Sequence, residues 1–353
     1  MENNQTELSF LSIISLLTFF IFLLISKYSY KIRNGVFLDQ DFIKPQAFHQ
    51  TAVSRAGGLA GIISLNVFFV FYYLIFSKIL LEYIFICNLM FFIGFLDDAR
   101  TNISASKRLA LMILFLFVAI HFNSIKVLYI DIPFLNSLLE KDILSSIFVL
   151  LCFLFIINGA NLIDGFNGLL SINLIIVNSI LAYINLSNGY TDFSIIIIGQ
   201  IIILLTFLMF NFPSAKLFLG DSGSYLMGSL AALNVIKTNN LNPNYSSFFF
   251  CIILFYLFFE VFFSFFRKIS QKKSPIHPDS EHLHMLTFTK ISKIFGKEKG
   301  NYINSIVINL VNVIFILPAI IFAKDPLISR YWFFSLIAIY LLIYLRLYRL
   351  TKN

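Results

Sequence analysis

The feature that most constrains this chain is a series of long apolar runs separated by short polar segments. Hydrophobic residue types make up 59% of the 353 residues and charged types only 12%, against about 25% in soluble domains. Only helices and closed barrels satisfy the backbone in lipid, and these runs exceed barrel strands of about ten residues. The sequence therefore predicts an all-α polytopic membrane protein, a single domain over residues 1–353 with about 11 transmembrane helices. The predicted segments are 8–26, 57–77, 79–96, 108–122, 143–163, 168–187, 193–212, 222–236, 246–266, 303–323 and 331–347.

The distribution of basic residues predicts the orientation of these helices. With an odd number of spans, one set of connecting loops carries 20 of the 26 lysines and arginines, and the other carries 6. Basic loops stay in the cytoplasm, so the N-terminus is expected outside and the C-terminus inside. The net charge of +8 follows from this topology, and no nucleic-acid partner is expected. The acidic leader MENNQTE indicates that the first helix is not a cleaved signal peptide.

The unusual polar residues concentrate in five segments. These are 44–58, 97–98, 158–168, 211–224 and 277–284. The predicted topology places all five at the cytoplasmic face, whereas random decoration of loops would divide them between two faces. We therefore expect one cytoplasm-facing site assembled from five connections.

Two adjacent carboxylates close the apolar segment FFIGFLDDAR. Asp97 and Asp98 would face each other and the negative end of the helix dipole, which is unfavourable unless a cation or strong donors compensate. Because Mg²⁺ prefers hard oxygen ligands, the pair predicts a magnesium site. A solvated helix end is the alternative.

The segment NGANLIDGFNGL runs off the end of a predicted membrane helix. Asn158 and Asn161 share a helix face with Gly165, and amides on that face can hydrogen-bond a nucleobase or a phosphate. Asp164 lies at the helix exit, where glycines permit a tight turn and close approach of a ligand. A capped polar helix end is the alternative.

The segment FLGDSGS predicts another helix start. Asp221 or Ser222 is the expected N-cap, and a helix N-terminus with glycine neighbours suits a phosphate. Asp221 could then hold a metal ion that bridges phosphate oxygens. A plain helix cap is the alternative.

Histidines and one intramembrane carboxylate complete the candidates. His282 and His284 lack the further ligands of a zinc site, so a pyrophosphate contact or proton handling is favoured over plain loop histidines. Glu260 lies inside an apolar run, which makes it a functional candidate. An ion pair with Arg267, two helical turns further on, is the competing interpretation.

Taken in order, these segments resemble the polyprenyl-phosphate N-acetylhexosamine-1-phosphate transferase family. The resemblance is to the bacterial undecaprenyl-phosphate GlcNAc-1-phosphate transferase branch, related to the translocase that forms lipid I. The family has a similar number of membrane helices and a cytoplasmic active site in the bacterial inner membrane. It uses Mg²⁺, for which Mn²⁺ could substitute. The segments that carry the resemblance are FHQTAVSRAGGLAG, GFLDDA, NGANLIDGFNGL, FLGDSGS and SPIHPDSEHLH.

The resemblance implies roles for individual residues. Asp97 and Asp98 would lie near Mg²⁺ and the lipid phosphate, one of them acting as base or nucleophile. Asp221 and Asp98 would bind the metal. Arg108 matches the basic residue after the aspartate pair, and the histidine motif would be catalytic through His282 and His284. The residues implied in substrate binding are Asn158, Asn161, Asp164, Asn167, Asn211, Arg55 and His49.

The implied reaction transfers an N-acetylhexosamine 1-phosphate, foremost GlcNAc-1-phosphate, from a UDP-N-acetylhexosamine to undecaprenyl phosphate. It releases UMP and initiates synthesis of a cell-surface polysaccharide such as O-antigen. Ser280 and Met285 replace an arginine and a histidine of the family motif, and Asn167 stands where aspartate is common. These departures leave N-acetylfucosamine and N-acetylquinovosamine donors open. A lipid-embedded transporter or flippase is the alternative from another class, and a homodimer stays open as a partner arrangement.

Overall fold

The computed structural model describes residues 2–31, 36–39, 52–99, 103–275 and 279–352. In these ranges, thirteen helices are joined by short connections, and two strands of two residues pair antiparallel. The elements are α1 (Glu2–Tyr28), β1 (Leu38–Asp39), β2 (Val53–Ser54), α2 (Gly57–Phe76), α3 (Leu81–Asp98), α4 (Ala105–Phe122), α5 (Pro133–Leu139), α6 (Asp142–Ile163), α7 (Leu169–Ser187), α8 (Thr191–Asn211), α9 (Gly220–Leu241), α10 (Ser247–Ile253), α11 (Phe255–Ser270), α12 (Leu283–Ile321) and α13 (Pro326–Lys352).

This architecture confirms the predicted all-α polytopic membrane fold. Each predicted apolar segment falls on a helix, or on the pair α10 and α11, with ends that agree to within about six residues except at α12. Helix α12 begins at Leu283, 20 residues before the predicted segment 303–323, and is interrupted at Gly296. Among the described residues, eight helices are long and apolar enough to cross a membrane, and α10 with α11, bent by 79°, would form a ninth span. Helices α3 and α9 are 18 and 22 residues long but more polar. Length and composition therefore do not establish the predicted number of eleven, and the orientation stays a prediction.

Helix α9 is the centre of the fold. It packs against α2, α3, α6 and α7, and 17 of its 22 residues are buried. Its sequence is rich in glycine, serine and alanine, whose small side chains let neighbouring helices approach closely. One such approach is at Gly94 of α3, where a Cβ would lie 2.4 Å from the backbone oxygen of Asp221. This contact brings the end of α3 to the start of α9.

A buried amide network ties α9 to three other helices. Asn234 of α9 is fully buried and accepts a hydrogen bond from the Tyr83 hydroxyl at 2.8 Å. Its Nδ2 donates to Asn178 Oδ1 at 3.0 Å and to Gln200 Oε1 at 2.6 Å. These partners lie on α3, α7 and α8. Because no water reaches such groups inside a membrane bundle, each lost partner is left unsatisfied.

We expect the Asn234→Ala variant to lower the free energy of unfolding by about 1–3 kcal/mol. Denaturation of the purified protein in detergent measures this loss. The matched control is Asn188→Ala, because the Asn188 side chain is exposed and donates to the backbone of the preceding helix α7, at the Ile184 carbonyl. We expect the control to change stability by less than about 0.5 kcal/mol. Equal losses in the two variants would contradict the network's role.

Candidate active site

The candidate site forms where α3 ends and α9 begins. Asp98, the last residue of α3, is 3% exposed, and its Oδ1 accepts a hydrogen bond from the backbone N–H of Asp221 at 3.0 Å. Its Oδ2 accepts from the N–H of Ser222 at 2.9 Å. The first N–H groups of a helix lack partners within the helix and favour a negative charge. The Asp98 carboxylate therefore provides hydrogen-bond acceptors for two free N–H groups at the start of α9.

The start of α9 depends on Gly220. Its φ of 76° is in the left-handed region, which glycine adopts without steric cost. A Cβ at this position would also lie 2.6 Å from Asp98 Oδ2. The helix thus begins at Gly220, with Asp221 in its first turn, and the predicted N-cap role of Asp221 or Ser222 is wrong.

Arg108 links two of the predicted carboxylates. Its Nη1 atom lies 2.6 Å from Asp97 Oδ2 and 2.5 Å from Asp221 Oδ2. On the other side, Asn161 Nδ2 donates to Asp221 Oδ1 at 3.0 Å. Asp221 is therefore held between a cation and an amide, and residues from α3, α4, α6 and α9 meet at this point.

A cavity of about 330 Å³ lies beside Asp221. Side chains from the ends of α6, α8 and α9 and from the short strand pair form its polar wall. The predicted residues that line it are Arg55, Asn161, Asp164, Asn167, Asn211 and Asp221.

The cavity wall also contains residues that the sequence did not single out, Asp39, Glu298 and Asn301. Asp39 Oδ2 accepts from Arg55 Nε at 3.0 Å and from Arg55 Nη2 at 2.7 Å. Asp39 has no motif around it; the antiparallel pairing of β1 with β2 places it beside Arg55. Glu298 follows Gly296, where a φ of 77° breaks α12. The available signal in the sequence was the pair of glycines, Gly296 and Gly300, on either side of Glu298, because glycine favours an interruption of a helix.

Two predicted asparagines brace the cavity wall. Asn211 Oδ1 accepts from the N–H of Gly168 at 2.7 Å, and its Nδ2 donates to the carbonyl of Leu217 at 2.9 Å. Asn167 Nδ2 donates to the carbonyl of Pro213 at 2.8 Å. These bonds hold the connection after α6 against the connection after α8, so both residues shape the cavity as well as line it.

Other predicted residues lie away from the cavity. Asn158 Nδ2 donates to the carbonyl of Leu154 at 2.7 Å, and Asn158 is not among the described residues that line the cavity. His282 and His284 are 2% and 1% exposed. The ring of His284 meets the ring of Phe166 edge-on at 5.8 Å, and Phe166 lines the cavity. The histidines therefore lie behind the cavity wall.

The proposed ion pair between Glu260 and Arg267 is wrong. Arg267 Nη2 instead lies 2.9 Å from Asp279 Oδ2, and Arg267 Nη1 lies 2.8 Å from Glu281 Oε2. Both carboxylates follow α11 in the chain and lie against the end of that helix. Glu260 is left to pair with His282, at 3.1 Å.

Part of the predicted site lies outside the described residues. His49 and the rest of segment 44–51 belong to this part, as does His277. The substrate-binding role of His49 stays a prediction.

Like charges dominate the electrostatics of the site. Burial and the neighbouring Asp221 raise the pKa of Asp97 to about 6, although Arg108 opposes this shift. Burial and Asp221 also raise the pKa of Asp98 to about 7, against the hydrogen bonds that it accepts at the start of α9. Burial, Asp221 and Asp98 raise the pKa of Asp164 well above its usual range. So many acidic groups with raised pKa values indicate a site that is short of positive charge.

This excess of negative charge predicts how the stability depends on pH. A carboxyl with a pKa of about 6 in the folded state binds its proton more tightly than in the unfolded chain, where the pKa is about 4. The protonated Asp97 carboxyl therefore stabilises the folded state fully below about pH 4, and this contribution is lost as the pH rises through about 6. The side chain in the Asp97→Asn variant stays neutral at all pH values. In EDTA, the melting temperature of the variant minus that of wild type should therefore be larger at pH 8 than at pH 5. An equal difference at both pH values would contradict the raised pKa.

The residues of the site suit a divalent cation bound to phosphate. Among the described residues, no group of three or more His, Cys, Asp or Glu side chains is arranged to hold a metal ion. Two carboxylate oxygens nevertheless converge on one positive centre, since Asp97 and Asp221 share the Nη1 atom of Arg108. Arg108 Nε is buried and has no hydrogen-bond partner in the described part of the chain. Hard oxygen donors with a free guanidinium donor fit Mg²⁺ and a phosphate group.

The fold and the site together define a class, a multi-pass membrane protein with an acidic, arginine-containing pocket built from helix ends. Within that class, the model of glycosyl transferase family 4 matches residues 80–239, which is somewhat less than half of the chain. The resemblance found from the motifs is thereby confirmed. The matched segment contains Asp97, Asp98, Arg108, Asn158, Asn161, Asp164, Asn167, Asn211 and Asp221.

Three bacterial proteins are similar to the chain. The first, undecaprenyl-phosphate alpha-N-acetylglucosaminyl 1-phosphate transferase of Thermotoga maritima, is 30% identical over 58% of this chain and 60% of its own length. A Bacillus subtilis protein named probable undecaprenyl-phosphate N-acetylglucosaminyl 1-phosphate transferase is 28% identical over 65% of this chain and 62% of its own length. Phospho-N-acetylmuramoyl-pentapeptide-transferase of Clostridium perfringens is 31% identical over 40% of this chain and 47% of its own length. The chain thus matches less than two thirds of each relative.

Proposed function

We propose that this protein transfers an N-acetylhexosamine 1-phosphate, in first place GlcNAc-1-phosphate, from a UDP-sugar to undecaprenyl phosphate and releases UMP. The observation that carries the proposal is the convergence of four carboxylates and two arginines beside one cavity. Relatives named as transferases of the same kind support it. The reaction would begin cell-surface polysaccharide synthesis at the cytoplasmic face of a bacterial inner membrane. The converging residues are Asp97, Asp98, Asp164, Asp221, Arg55 and Arg108.

The charges of the site match the main difficulty of this reaction. A lipid phosphate and a nucleotide diphosphate must approach one another, and their negative charges repel. Arg108 bridges Asp97 and Asp221, and its Nε has no partner among the residues that the structure describes. Arg55 lines the cavity. Positioned cations of this kind bind phosphate oxygens and stabilise the charge that develops as the phosphoryl group transfers.

The acidic residues then divide into two roles. Asp97 and Asp221, whose Oδ2 atoms converge, would hold Mg²⁺, with Mn²⁺ as a substitute. When bound, the metal would neutralise the diphosphate and polarise the bond that breaks. Asp98 is a positioning residue, since both of its oxygens accept backbone N–H groups. It holds the start of α9, and with it Asp221, in place.

The cavity suits the nucleotide part of the donor. Its volume of about 330 Å³ is at the lower end of the range for small-molecule sites. Asn161 and Asp164 would contact the polar groups of the nucleotide, while Asn167 and Asn211 hold the wall around it. A lipid phosphate oxygen would then attack the β-phosphorus, forming one P–O bond while the bond to UMP breaks. Placing a membrane-bound acceptor beside a soluble donor accounts for a site at helix ends.

Nucleotide release tests this proposal. The purified protein in detergent is incubated with undecaprenyl phosphate, Mg²⁺ and a panel of UDP-N-acetyl sugars. UMP that depends on lipid and metal, and forms with one donor, would establish phosphosugar transfer and identify the sugar. UDP instead would indicate simple glycosyl transfer. No nucleotide from a folded protein would favour the transporter alternative.

A further inference from the structure

A second buried polar cluster lies where α11, α13 and the start of α12 meet. At its centre, Glu260 is 1% exposed. Its Oε1 accepts from the backbone N–H of Leu283 at 3.0 Å and lies 3.1 Å from His282 Nδ1. Its Oε2 accepts from the Tyr340 hydroxyl at 2.6 Å. A carboxylate inside an apolar run is costly, and here three donors compensate it.

The two histidines of the segment are held by one face of α11. Tyr256 and Glu260 are one turn apart and so lie on the same helix face. The Tyr256 hydroxyl lies 3.1 Å from His284 Nδ1, while Glu260 faces His282. The two imidazole rings are consequently parallel, with an interplanar angle of 4° and centroids 5.4 Å apart. Helix α11 thus sets the orientation of both rings.

The histidine segment contacts the cavity wall in two places. The ring of His284 packs edge-on against Phe166, which lines the cavity between Asp164 and Gly168. The part of α12 beyond the break at Gly296 is tied to this segment, since Asn304 Nδ2 donates to the His284 carbonyl at 3.0 Å. The same part carries Asn301, whose Oδ1 accepts from the backbone N–H of Asn167 at 2.8 Å. A shift of the histidine segment would therefore move the loop that carries Asp164.

We propose that Glu260 is a positioning residue of the donor site, one that fixes His282 and the start of α12 and thereby the cavity loop at Phe166. The alternative is that the Glu260 carboxylate only caps the start of α12. Asp131 provides a control for that account, because it is also buried and its Oδ2 accepts from the N–H of Ser247, the first residue of α10, at 2.7 Å. The effect on the donor site rests on the proposed function; the effect on the histidines does not.

The first experiment measures the histidines directly. Wild type, Glu260→Gln and Asp131→Asn, purified in detergent, are treated with diethyl pyrocarbonate, and modification of each histidine is measured by mass spectrometry. Buried His282 should react slowly in wild type and several-fold faster in Glu260→Gln, because the acceptor of its Nδ1 is weakened. Asp131→Asn should leave its reactivity unchanged. The exposed His121 is the internal reference in all three proteins. Unchanged reactivity of His282 in Glu260→Gln would overturn the inference.

The second experiment measures nucleotide release. In Glu260→Gln, kcat/KM for the UDP-sugar should fall about tenfold, as expected for a weakened charge-assisted hydrogen bond, while KM for undecaprenyl phosphate is unchanged. Asp131→Asn should leave both parameters unchanged. The double variant Glu260→Gln/His282→Asn should be no worse than the poorer single variant, since the two residues act together.

The two experiments distinguish a failure of the proposed function from a failure of the inference about Glu260. A wild-type protein that releases no UMP would refute the proposed function, and the labelling result would still decide whether Glu260 fixes His282. Additive losses in the double variant, or equal losses in kcat/KM for Glu260→Gln and Asp131→Asn, would show that Glu260 does not act through His282.

Discussion

The Asp221→Asn variant is expected to lose about a thousandfold in UMP release. Asp221 Oδ2 lies 2.5 Å from Arg108 Nη1, and its Oδ1 accepts from Asn161. An asparagine would direct an amide N–H₂ group at one of these two donors, and it would remove one of the two carboxylates that converge where the metal is proposed. Turnover at a series of Mg²⁺ concentrations measures both effects. We expect a lower maximal rate and a higher Mg²⁺ concentration at half-maximal rate.

The control for this variant is Asp192→Asn. Asp192 is paired with Lys78 at the surface, where ion pairs contribute little to stability. It lies in the first turn of α8, at the opposite end of that helix from Asn211. Its turnover and Mg²⁺ dependence should equal those of wild type. A normal Mg²⁺ dependence in Asp221→Asn would remove the proposed metal-binding role of this residue.

The Asp98→Asn variant should lose both activity and stability. Each oxygen of Asp98 accepts one backbone N–H at the start of α9, and asparagine retains only one acceptor oxygen. One N–H group at a buried helix start would then face another donor, at a cost of about 1–3 kcal/mol. Because the same N–H belongs to the turn that carries Asp221, UMP release should fall about a hundredfold. Turnover and thermal unfolding in detergent are measured on the same preparation.

The neighbouring Asp97→Asn variant distinguishes positioning from direct chemistry. The Asp97 side chain is 28% exposed and contacts Arg108 without capping a helix. The Asp97→Asn variant should therefore lose activity and keep most of its stability in the same two measurements. Full turnover in Asp98→Asn would exclude a role as base and as positioning residue alike. A large loss of activity with unchanged stability would instead favour the direct role predicted from the sequence.

Much of the candidate site was predictable because its residues stand in motifs at helix ends. The chain order of Asp97, Asn161, Asp164 and Asp221 relative to the apolar runs placed them on one side, and the structure gathers them around Arg108 and one cavity. Asp39 was not predictable in this way. Its contact with Arg55 depends on the pairing of two very short strands, and a two-residue strand leaves no periodic pattern in a sequence.

The histidine segment shows a different limit. Its residues were identified, but their burial behind Phe166 depends on how α11 and α13 pack around Glu260. The apolar periodicity of these helices is nearly continuous, so the sequence does not show which face meets which neighbour. The same reason explains why Arg267, which the sequence offered as one possible partner of Glu260, pairs with Asp279 and Glu281 instead.

The sequence by itself determined the class of fold, the succession of helices and the residue types of the site. It did so because crossing lipid requires long apolar helices, and because the unusual polar residues concentrate in five short segments at their ends. Only the tertiary structure decided what each polar residue does there. Asp98 caps α9 while Asp97 and Asp221 share Arg108, since those roles depend on the few ångströms by which Gly94 and Gly220 let α3 and α9 approach.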